Sequence, residues 1–418
     1  MVIRSVFTKV PAWIQTGSHY VIRQNPLSVR RTQIVRGLLA SAFLITAISP
    51  IEAQESKLSS FVAIDTDANL LEYPKVRPFK MPGEKQYTLG DLHGNALKLF
   101  YFLIKEDLIA MSPGDYNTFC QIYYKRTESV TKQDLKCFDE ILARIEYRKI
   151  TNGGMIRLLG DEFCDRGEND YYVLKILEAL KAHQVPFEVL FSNHGYELIS
   201  CFEKGLMEHM SYLETVDCGA SLTHLRDFIK KDLVSYKEVE RLIKEVYYPS
   251  LKLLSYTTQK EEGLSRFTLY SHAPIGLKTV QMLAFHRLFA LNMDFSQTYG
   301  WGSTIDKVNA KFQAYLKQGL ITYHFDHEIH NRSPVDKIPF SLPVRRCVWS
   351  RGFVAQDEPV NESEGVLYTY VHGHDGCGVV DEKYKGFVVN LDNLLGKGRG
   401  NEARTYSVHV SSETSKLE

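Results

Sequence analysis

Five short apolar segments along the chain each end in a polar turn. They are residues 86–89, 155–159, 187–191, 267–270 and 366–371. Their aliphatic and aromatic content favours β-strands, and the first two are followed by segments with helical apolar spacing, residues 96–109 and 171–183. A strand that ends in a polar turn opening a helix is the usual position of a ligand site in an α/β protein. The pattern therefore predicts an α/β domain in which the polar turns converge on one sheet edge.

Two longer segments interrupt this pattern. Residues 111–150 contain Thr131 and Asp134 at capping-box spacing ahead of an apolar run, which predicts a helix. Residues 203–248 are strongly charged, with apolar residues at helical spacing, and predict a helical hairpin or cap. A further helix is predicted at about residues 303–319. Long insertions beside a site are either structural padding or a lid or partner surface, and the sequence leaves both open.

The N-terminal residues differ in charge from the rest of the chain. Residues 1–51 contain six basic residues and no Asp or Glu, and residues 37–49 form an apolar stretch of thirteen residues. A membrane-spanning helix needs about 20 apolar residues. Residues 1–53 therefore predict a signal or targeting leader, with export as the main interpretation, organellar targeting as the alternative, and membrane contact only if the leader is not cleaved. The folded domain is predicted at residues 54–398, followed by a polar tail at 399–418.

The overall composition excludes several classes of protein. The 418 residues carry 50 Lys and Arg against 50 Asp and Glu, so the formal net charge is zero. This balance provides no basic excess for nucleic-acid binding, and no such partner is expected. The seven cysteines are scattered and include no C-x-x-C pair, which disfavours a zinc ribbon or a disulfide scaffold. Function must therefore be argued from the local chemistry of the turns.

The polar turns hold Asp, Asn and His, which are ligands for divalent metal ions. The candidate ligands are Asp91, His93, Asp161, Asn193, His272 and His374. Two ions about 3.5–4 Å apart need a bridging carboxylate with imidazoles and oxygens on either side. Asp161 is the natural bridge between one ion held by Asp91 and His93 and a second held by the other three residues. Such a pair makes hydroxide available near neutral pH and polarises a phosphoryl oxygen, which is the chemistry of phosphate-ester hydrolysis.

The first two turns resemble the motifs of the metallophosphoesterase superfamily. Residues 90–94 read GDLHG and residues 160–167 read GDEFCDRG. The DRG ending of the second motif is similar to the phosphoprotein-phosphatase branch, including divergent bacterial phosphatases of the secreted effector type. The resemblance implies an α/β fold of the calcineurin-like kind, in which two mixed β-sheets pack as a sandwich flanked by helices, here with helical insertions.

The resemblance also implies four catalytic residues: His194, Asp165, Arg166 and Arg351. His194 would be the general acid for the leaving oxygen, oriented by Asp165. Arg166 would hold the substrate phosphate, because a guanidinium matches two phosphate oxygens at once. Arg351, in the VWSR segment at 348–351, would be a second phosphate ligand. Arg345 and Arg346 remain its competitors.

The third motif departs from the family pattern. The usual sequence G-N-H-E reads Ser192-Asn193-His194-Gly195 here, and Glu197 follows two residues after the glycine. Either Glu197 takes the role of the missing glutamate, or the loop is reorganised.

The predicted function is a metal-dependent phosphoprotein phosphatase that hydrolyses phosphomonoesters with hydroxide activated by two divalent ions. Mn²⁺ is the expected metal, with Fe or Zn as alternatives. The expected partners are a phosphoprotein substrate and a protein bound by the helical insertions, in a host cell if the chain is a delivered effector. Two alternatives stay open: a small-molecule phosphoesterase such as a symmetrical dinucleoside-tetraphosphate hydrolase, and an inactive binding module with the phosphatase fold.

Overall fold

The computed structural model describes a large part of the chain beyond the leader. The described residues are 61–77, 85–150, 154–209, 219–261, 264–291, 299–334, 337–363, 365–376, 380–393, 395–397 and 404–412. The chain divides into two units, Met1–Gln54 and Glu55–Glu418, and the described residues belong to the second. The predicted leader at 1–53 lies outside them. None of the helices in these ranges combines the length and apolar character that crossing a bilayer needs.

The strands form two main sheets. They are β1 (Phe61–Ala68), β2 (Lys85–Leu89), β3 (Ile109–Ala110), β4 (Glu146–Tyr147), β5 (Met155–Leu158), β6 (Phe187–Leu190), β7 (Leu251–Lys252), β8 (Ser255–Glu261), β9 (Leu264–Ser271), β10 (Glu362–Ser363), β11 (Val366–His372), β12 (Val388–Asn390) and β13 (Arg404–Ser412). The first sheet has the order β1-β13-β2-β5-β6-β7. The second has the order β10-β11-β9-β8, with β12 beside β11, and β3 pairs with β4 separately.

Helices surround the sheets and make up most of the insertions. They are α1 (Ala96–Lys105), α2 (Pro113–Tyr123), α3 (Lys132–Arg144), α4 (Asp170–Ala182), α5 (Asn193–Glu203), α6 (Leu206–His209), α7 (Ala220–Lys230), α8 (Tyr236–Leu242), α9 (Tyr248–Ser250), α10 (Leu277–Phe285), α11 (Tyr299–Gln318), α12 (Ile321–Ile329) and α13 (Pro343–Trp349). A π-helical turn, Ile243–Tyr247, joins α8 to α9.

Parallel pairing brings the polar turns together. β2, β5 and β6 are parallel neighbours, with Leu89 opposite Leu158 and Leu158 opposite Val189. In the second sheet β9 and β11 are parallel, with Ser271 opposite His372. Because parallel strands in register end at the same edge, the turns after all five strands lie at the carboxyl edges of the two sheets.

The two sheets face each other across a polar layer. The guanidinium of Arg157 on β5 lies 3.7 Å from the ring centre of Tyr270 on β9 and donates to Ser255 Oγ on β8 at 3.1 Å. The hydroxyl of Tyr270 lies 3.2 Å from Ser411 Oγ on β13. The predicted fold is confirmed: two mixed sheets pack as a sandwich between helices, which is a metallophosphoesterase-like architecture.

The 111–150 insertion packs into the core behind the first two motifs. Thr131 caps α3 through the capping box that the sequence predicts. Phe119 on α2 packs against Phe100 on α1 and Phe138 on α3, each at a centroid distance of 5.0 Å. Phe138 packs edge-on against Tyr172 on α4 at 5.1 Å. These rings, all buried, join the insertion to the helices that follow the motifs.

The segment predicted as a polar tail, residues 399–418, contains a strand of the large sheet. Residues 404–412 form β13, which lies between β1 and β2. Tyr406, Val408 and Val410 on β13 are buried, and so are His409 and Ser411. The apolar side chains alternate with polar ones that contact the polar layer between the sheets, so the segment has the period of a strand but the polar content of a tail.

Candidate active site

Four of the predicted ligands, each following a different strand, meet in one buried cluster. They are Asp161, Asn193, His272 and His374. Nε2 of His272 lies 2.9 Å from Oδ1 of Asn193 and 3.1 Å from Nδ1 of His374. The same Nε2 lies 3.4 Å from Oδ1 of Asp161. Both sheets therefore contribute to a single group of oxygen and nitrogen donors.

The donor atoms of this cluster fit a divalent cation. Ligands at right angles around an ion, with bonds of about 2.1 Å, lie about 3 Å apart, which matches these spacings. Oδ1 of Asp161 is buried and has no hydrogen-bond partner. Because a buried polar atom without a partner is costly, this oxygen is the atom that a bound cation would satisfy.

The histidines of the cluster are held in the form that binds a metal. Burial lowers the pKa of His272, and burial together with the nearby His272 and Arg351 lowers the pKa of His374 well below its usual value. Nδ1 of His272 lies 2.8 Å from the carbonyl oxygen of Leu159. Since a carbonyl only accepts, Nδ1 carries the proton, and the lone pair of Nε2 faces the cluster. Both rings are therefore neutral near neutral pH.

A second buried group follows β2. Asp91, His93 and Asp392 offer ligand atoms within 4.8 Å of one another, and His93, Asp161 and Asp165 form a further such group. Both carboxylate oxygens of Asp91 accept the backbone N–H of His374, at 3.0 and 3.1 Å, which connects this group to the first cluster. Asp161 thus belongs both to the group with His93 and Asp165 and to the first cluster with His272 and His374.

Negative charge accumulates in the second group. Burial, with the carboxylates of Asp392 and Asp161, raises the pKa of Asp91 well above its usual range. Lys98 on α1 is buried beside them, and its ammonium donates to the carbonyl oxygens of Asp91 and of Leu395, the latter at 3.1 Å. Burial lowers the pKa of Lys98 to about 8. Lys98 therefore ties the end of β2 to the loop that carries Asp392 and offsets part of the acidic charge.

The backbone around the ligands adopts conformations that side chains rarely tolerate. His93, Asp161 and His374 all have positive φ, at 57°, 53° and 62°. Each such residue costs about 1–3 kcal/mol, and clusters of them mark functional sites. Gly373 allows the turn that carries His374 to approach Asp91 closely, because a Cβ at Gly373 would lie 1.8 Å from Oδ1 of Asp91. The turns are shaped to bring the ligands together.

His194, the predicted general acid, lies beside the first cluster, but Asp165, its predicted partner, contacts other residues. Asp165 Oδ2 lies 3.1 Å from Nδ1 of His93, and Oδ1 accepts from Arg166 at 2.8 Å. Nδ1 of His194 is buried without a hydrogen-bond partner, so Asp165 does not orient the ring by accepting a hydrogen bond from this nitrogen. Burial opposes charge on His194, but the carboxylates of Asp161 and Asp165 and the carbonyl of Cys164 raise its pKa above the usual value. Asp165 therefore acts on His194 through its charge.

The two predicted phosphate ligands lie at the rim of the centre. The side chain of Arg166 is 56% exposed while one of its nitrogens contacts Asp165. Arg351 is also exposed, and its guanidinium donates to the carbonyl oxygen of His374 at 2.9 Å. Each guanidinium keeps further N–H groups for an anionic substrate.

Arg345 and Arg346 are structural residues of α13. Both are buried. Arg345 donates to the carbonyl oxygens of Ile329 and Ser333, and Arg346 donates to Ile338 O at 2.8 Å and Thr279 Oγ1 at 3.1 Å. Because these contacts and their burial occupy both guanidinium groups, neither competes with Arg351 for a phosphate.

Glu197 contacts a residue outside the third motif. Its carboxylate lies 3.7 Å from Nε2 of His330, just after α12, and His330 also lies 3.3 Å from Asp326. Gly195, where the related motif has glutamate, is instead surrounded by other side chains. The expectation that Glu197 takes the place of the family's glutamate is therefore not supported, and the loop is reorganised.

Several side chains at the centre were missed by sequence reasoning. Asp392 follows β12, which has only three residues and gives a weak strand pattern. Lys98 resembles an ordinary surface lysine on an amphipathic helix. Ser221, from the 203–248 insertion, accepts the backbone N–H of Asp165 at 3.1 Å and donates its own to Asp165 O at 3.2 Å. Only the strand-end position of Asp392 offered a signal; insertion contacts such as that of Ser221 have no local pattern.

The chain is similar to known phosphatase domains. The family model for the WipA-like phosphatase domain matches residues 155–397, more than half of the chain. One solved structure, described as the phosphatase domain from the Legionella effector WipB, is similar with a TM-score of 0.59 and 27% sequence identity, over 69% of this chain and 99% of that one. No curated protein matches the chain. The match to the family model begins at β5, and the first motif lies outside it, on the adjacent strand β2. The chain belongs to the WipA-like phosphatase domain family.

Proposed function

We propose that this protein is a metal-dependent phosphoprotein phosphatase that hydrolyses phosphomonoesters. The observation that carries the proposal is Asp161, which is shared by two buried groups of ligands and keeps one carboxylate oxygen without a partner. When bound, two divalent ions, with Mn²⁺ as the proposed metal, would polarise the phosphate and acidify a water molecule. Asp91 and His93 would hold one ion, and Asn193, His272 and His374 the other. A complete ligand set favours turnover over the inactive binding module.

The remaining residues would act directly on the substrate. His194 is half-buried beside the ligands, and its raised pKa favours the protonated ring, which would donate a proton to the leaving oxygen. Arg166 and Arg351 lie at the rim, where their exposed guanidinium groups would hold the phosphate oxygens. Asp165 would position Arg166 and support the charge on His194.

The arginines give a prediction that separates binding from folding. Arg166→Ala and Arg351→Ala are expected to raise KM for an aryl phosphate by about 10-fold or more, because each removes a charged phosphate contact. Arg345→Ala is expected to lower the melting temperature with little change in KM, because it removes buried contacts to backbone carbonyls. Steady-state kinetics and thermal melts check both. An unchanged KM in the Arg351 variant would remove that residue from the site.

The proposed setting is a host cell. The chain belongs to the WipA-like phosphatase domain family, and the similar solved structure is described as the phosphatase domain from the Legionella effector WipB. We propose that this chain is likewise exported and acts on phosphoproteins of a host, with residues 1–53 as the targeting segment and a protein partner bound through the helical insertions.

Substrate and metal dependence test the proposal together. Purified protein, stripped with a chelator and reloaded with Mn²⁺, is assayed on phosphoserine, phosphothreonine and phosphotyrosine peptides and on a dinucleoside tetraphosphate. We expect phosphopeptide turnover that is lost on chelation and restored by Mn²⁺. Preference for the dinucleotide would assign a small-molecule phosphoesterase instead. Failure to turn over any substrate, with metal bound, would identify a binding module.

A further inference from the structure

The third motif carries a glycine where a side chain would not fit. Gly195 is the third residue of α5, two positions after Asn193. A Cβ at Gly195 would lie 2.7 Å from the hydroxyl oxygen of Tyr247, 3.0 Å from Oε1 of Glu162 and 3.0 Å from Oγ of Ser192. Its φ is not among the positive values, so the backbone does not demand glycine there. The space is instead taken by the neighbouring side chains.

The carboxyl group of Glu162, from the second motif, occupies this space. Glu162, next to Asp161 in the chain, is fully buried, and its Oε1 accepts a hydrogen bond from the hydroxyl of Tyr247. Its Oε2 is buried without a hydrogen-bond partner. Tyr247 comes from the 203–248 insertion and is also fully buried, with its ring packed edge-on against Phe163 at 4.8 Å. It ends the π-helical turn, a feature frequent at functional sites.

The contact lies at the junction of the second and third motifs. Oγ of Ser192 accepts the backbone N–H of Asp161 at 3.0 Å and that of Gly195 at 2.8 Å. Oε1 of Glu162 lies 3.0 Å from the position that a Cβ of Gly195 would take, so the side chain of Glu162 packs against the same turn of α5. The position of Asn193 relative to Asp161 therefore depends on how closely Glu162 and Gly195 approach each other.

We propose that Glu162, held by Tyr247, is a positioning residue that takes the place of the glutamate missing from the third motif. The carboxyl group comes from the strand-end turn of β5 rather than from α5, and Gly195 leaves room for it. Through this contact the insertion helps to fix Asn193 and His194 relative to Asp161. The inference rests on the proposed function, since it assigns a supporting role in the same centre.

Helix propensity alone would favour alanine over glycine at position 195. In a helix, glycine is less stable than alanine by about 1 kcal/mol. If Gly195 had no packing role, Gly195→Ala would leave activity unchanged and raise stability. Under the proposal the added methyl group pushes against Tyr247 and Glu162 and displaces Asn193.

The first experiment compares two adjacent tyrosines in the full chain. Tyr247→Phe removes the hydroxyl that holds Glu162, whereas Tyr248→Phe removes a buried hydroxyl without a hydrogen-bond partner. We expect Tyr247→Phe and Glu162→Leu to weaken Mn²⁺ binding, measured by calorimetry, by about 10-fold or more, and to lower kcat more than they raise KM. Tyr248→Phe should match the parent in Mn²⁺ affinity and in the kinetic constants. Glu162→Gln keeps an oxygen acceptor, so it should retain more Mn²⁺ affinity than Glu162→Leu.

The second experiment is a double-mutant cycle. Gly195→Ala alone is expected to weaken Mn²⁺ binding, and the same change in the Tyr247→Phe background should add much less, because the closest obstructing atom is gone. Additive effects, or a Gly195→Ala variant with the parent's metal affinity, would overturn the proposal.

The two readouts keep this inference separate from the proposed function. If the parent protein binds Mn²⁺ but turns over no phosphate ester, the proposed function fails, and the metal affinities of the variants still decide the role of Glu162. If the parent is active and the Glu162 and Tyr247 variants match it in kcat and metal affinity, the inference alone fails.

Discussion

Asp161→Asn is expected to lower kcat on an aryl phosphate by about 10³-fold or more while leaving the fold intact. Asparagine keeps the shape of the side chain but removes the charge that would be shared by two cations. The loss of that charge also removes a main support for the raised pKa of His194, so the proposed acid would be weakened at the same time. Asparagine tolerates the positive φ of 53° at this position, so the turn should form as before.

A matched control for this variant exists elsewhere in the chain. Asp107 has a φ of 57° and an exposed side chain that contacts Arg148 at 3.3 Å. Asp107→Asn makes the same chemical change in the same backbone conformation, away from the ligand groups, and should keep the parent's kcat. Circular dichroism, thermal melts and Mn²⁺ stoichiometry accompany the kinetics. An Asp161→Asn protein with a kcat within a few-fold of the parent would exclude a bridging carboxylate.

The convergence of the ligands could be predicted because it follows from strand register. Short apolar segments followed by Asp, Asn or His are visible in the sequence, and parallel neighbours end at one edge. The sequence does not show that Asp91 and His374, almost 300 positions apart, are joined through a backbone N–H. That contact depends on Gly373, whose role appears only when the two sheets are packed.

The partners of the catalytic side chains could not be predicted in the same way. Asp165 was expected to orient His194, but His93 and Arg166 occupy its oxygens. The choice among these partners is decided by how the turns pack against one another, which no spacing in the sequence encodes. The resemblance predicted which residues gather, and the packing determines how they pair.

β13 shows why composition alone is a poor guide to a strand. Residues 406–411 alternate apolar and polar side chains, which is the period of a strand, although their polar content is typical of a tail. In this sandwich the inner faces carry buried polar side chains, such as His409, Ser411 and Arg157, so polar content does not mark a surface segment. Charges in this layer must be paired, because an isolated buried charge is costly.

In that polar layer, we expect the ion pair between Arg157 and Glu188 to have the largest effect on stability when one partner is removed. Both side chains are almost fully buried, and Nε of Arg157 lies 2.5 Å from Oε1 of Glu188. The guanidinium also donates to Thr88 Oγ1 at 3.2 Å and to Gln86 Oε1 at 3.0 Å. Because removal of one partner leaves a buried unpaired charge, Glu188→Gln is expected to lower the free energy of unfolding by about 3–5 kcal/mol.

The control for this variant is an ion pair on the surface. Lys132 and Asp232 approach to 2.9 Å with side chains 67% and 89% exposed. Lys132→Met should change the unfolding free energy by less than about 1 kcal/mol. Urea unfolding of the three proteins measures the difference. Equal stabilities for Glu188→Gln and the parent would show that the buried pair contributes no net stabilisation.

The same pair predicts how stability depends on pH. Burial opposes the charge on Glu188, but Arg157 and Lys252 outweigh it and lower the pKa of Glu188 from about 4.5 to about 2. A carboxyl group whose pKa is lower in the folded chain stabilises the fold when the pH is above the pKa that it has in the unfolded chain. This stabilisation is lost as the pH falls towards the pKa of the group in the folded chain. Glu188 should therefore contribute about 3 kcal/mol at neutral pH that disappears between about pH 4.5 and 2. The Glu188→Gln variant should lose this part of the acid sensitivity, so the parent and variant stability curves should converge as the pH falls through that range.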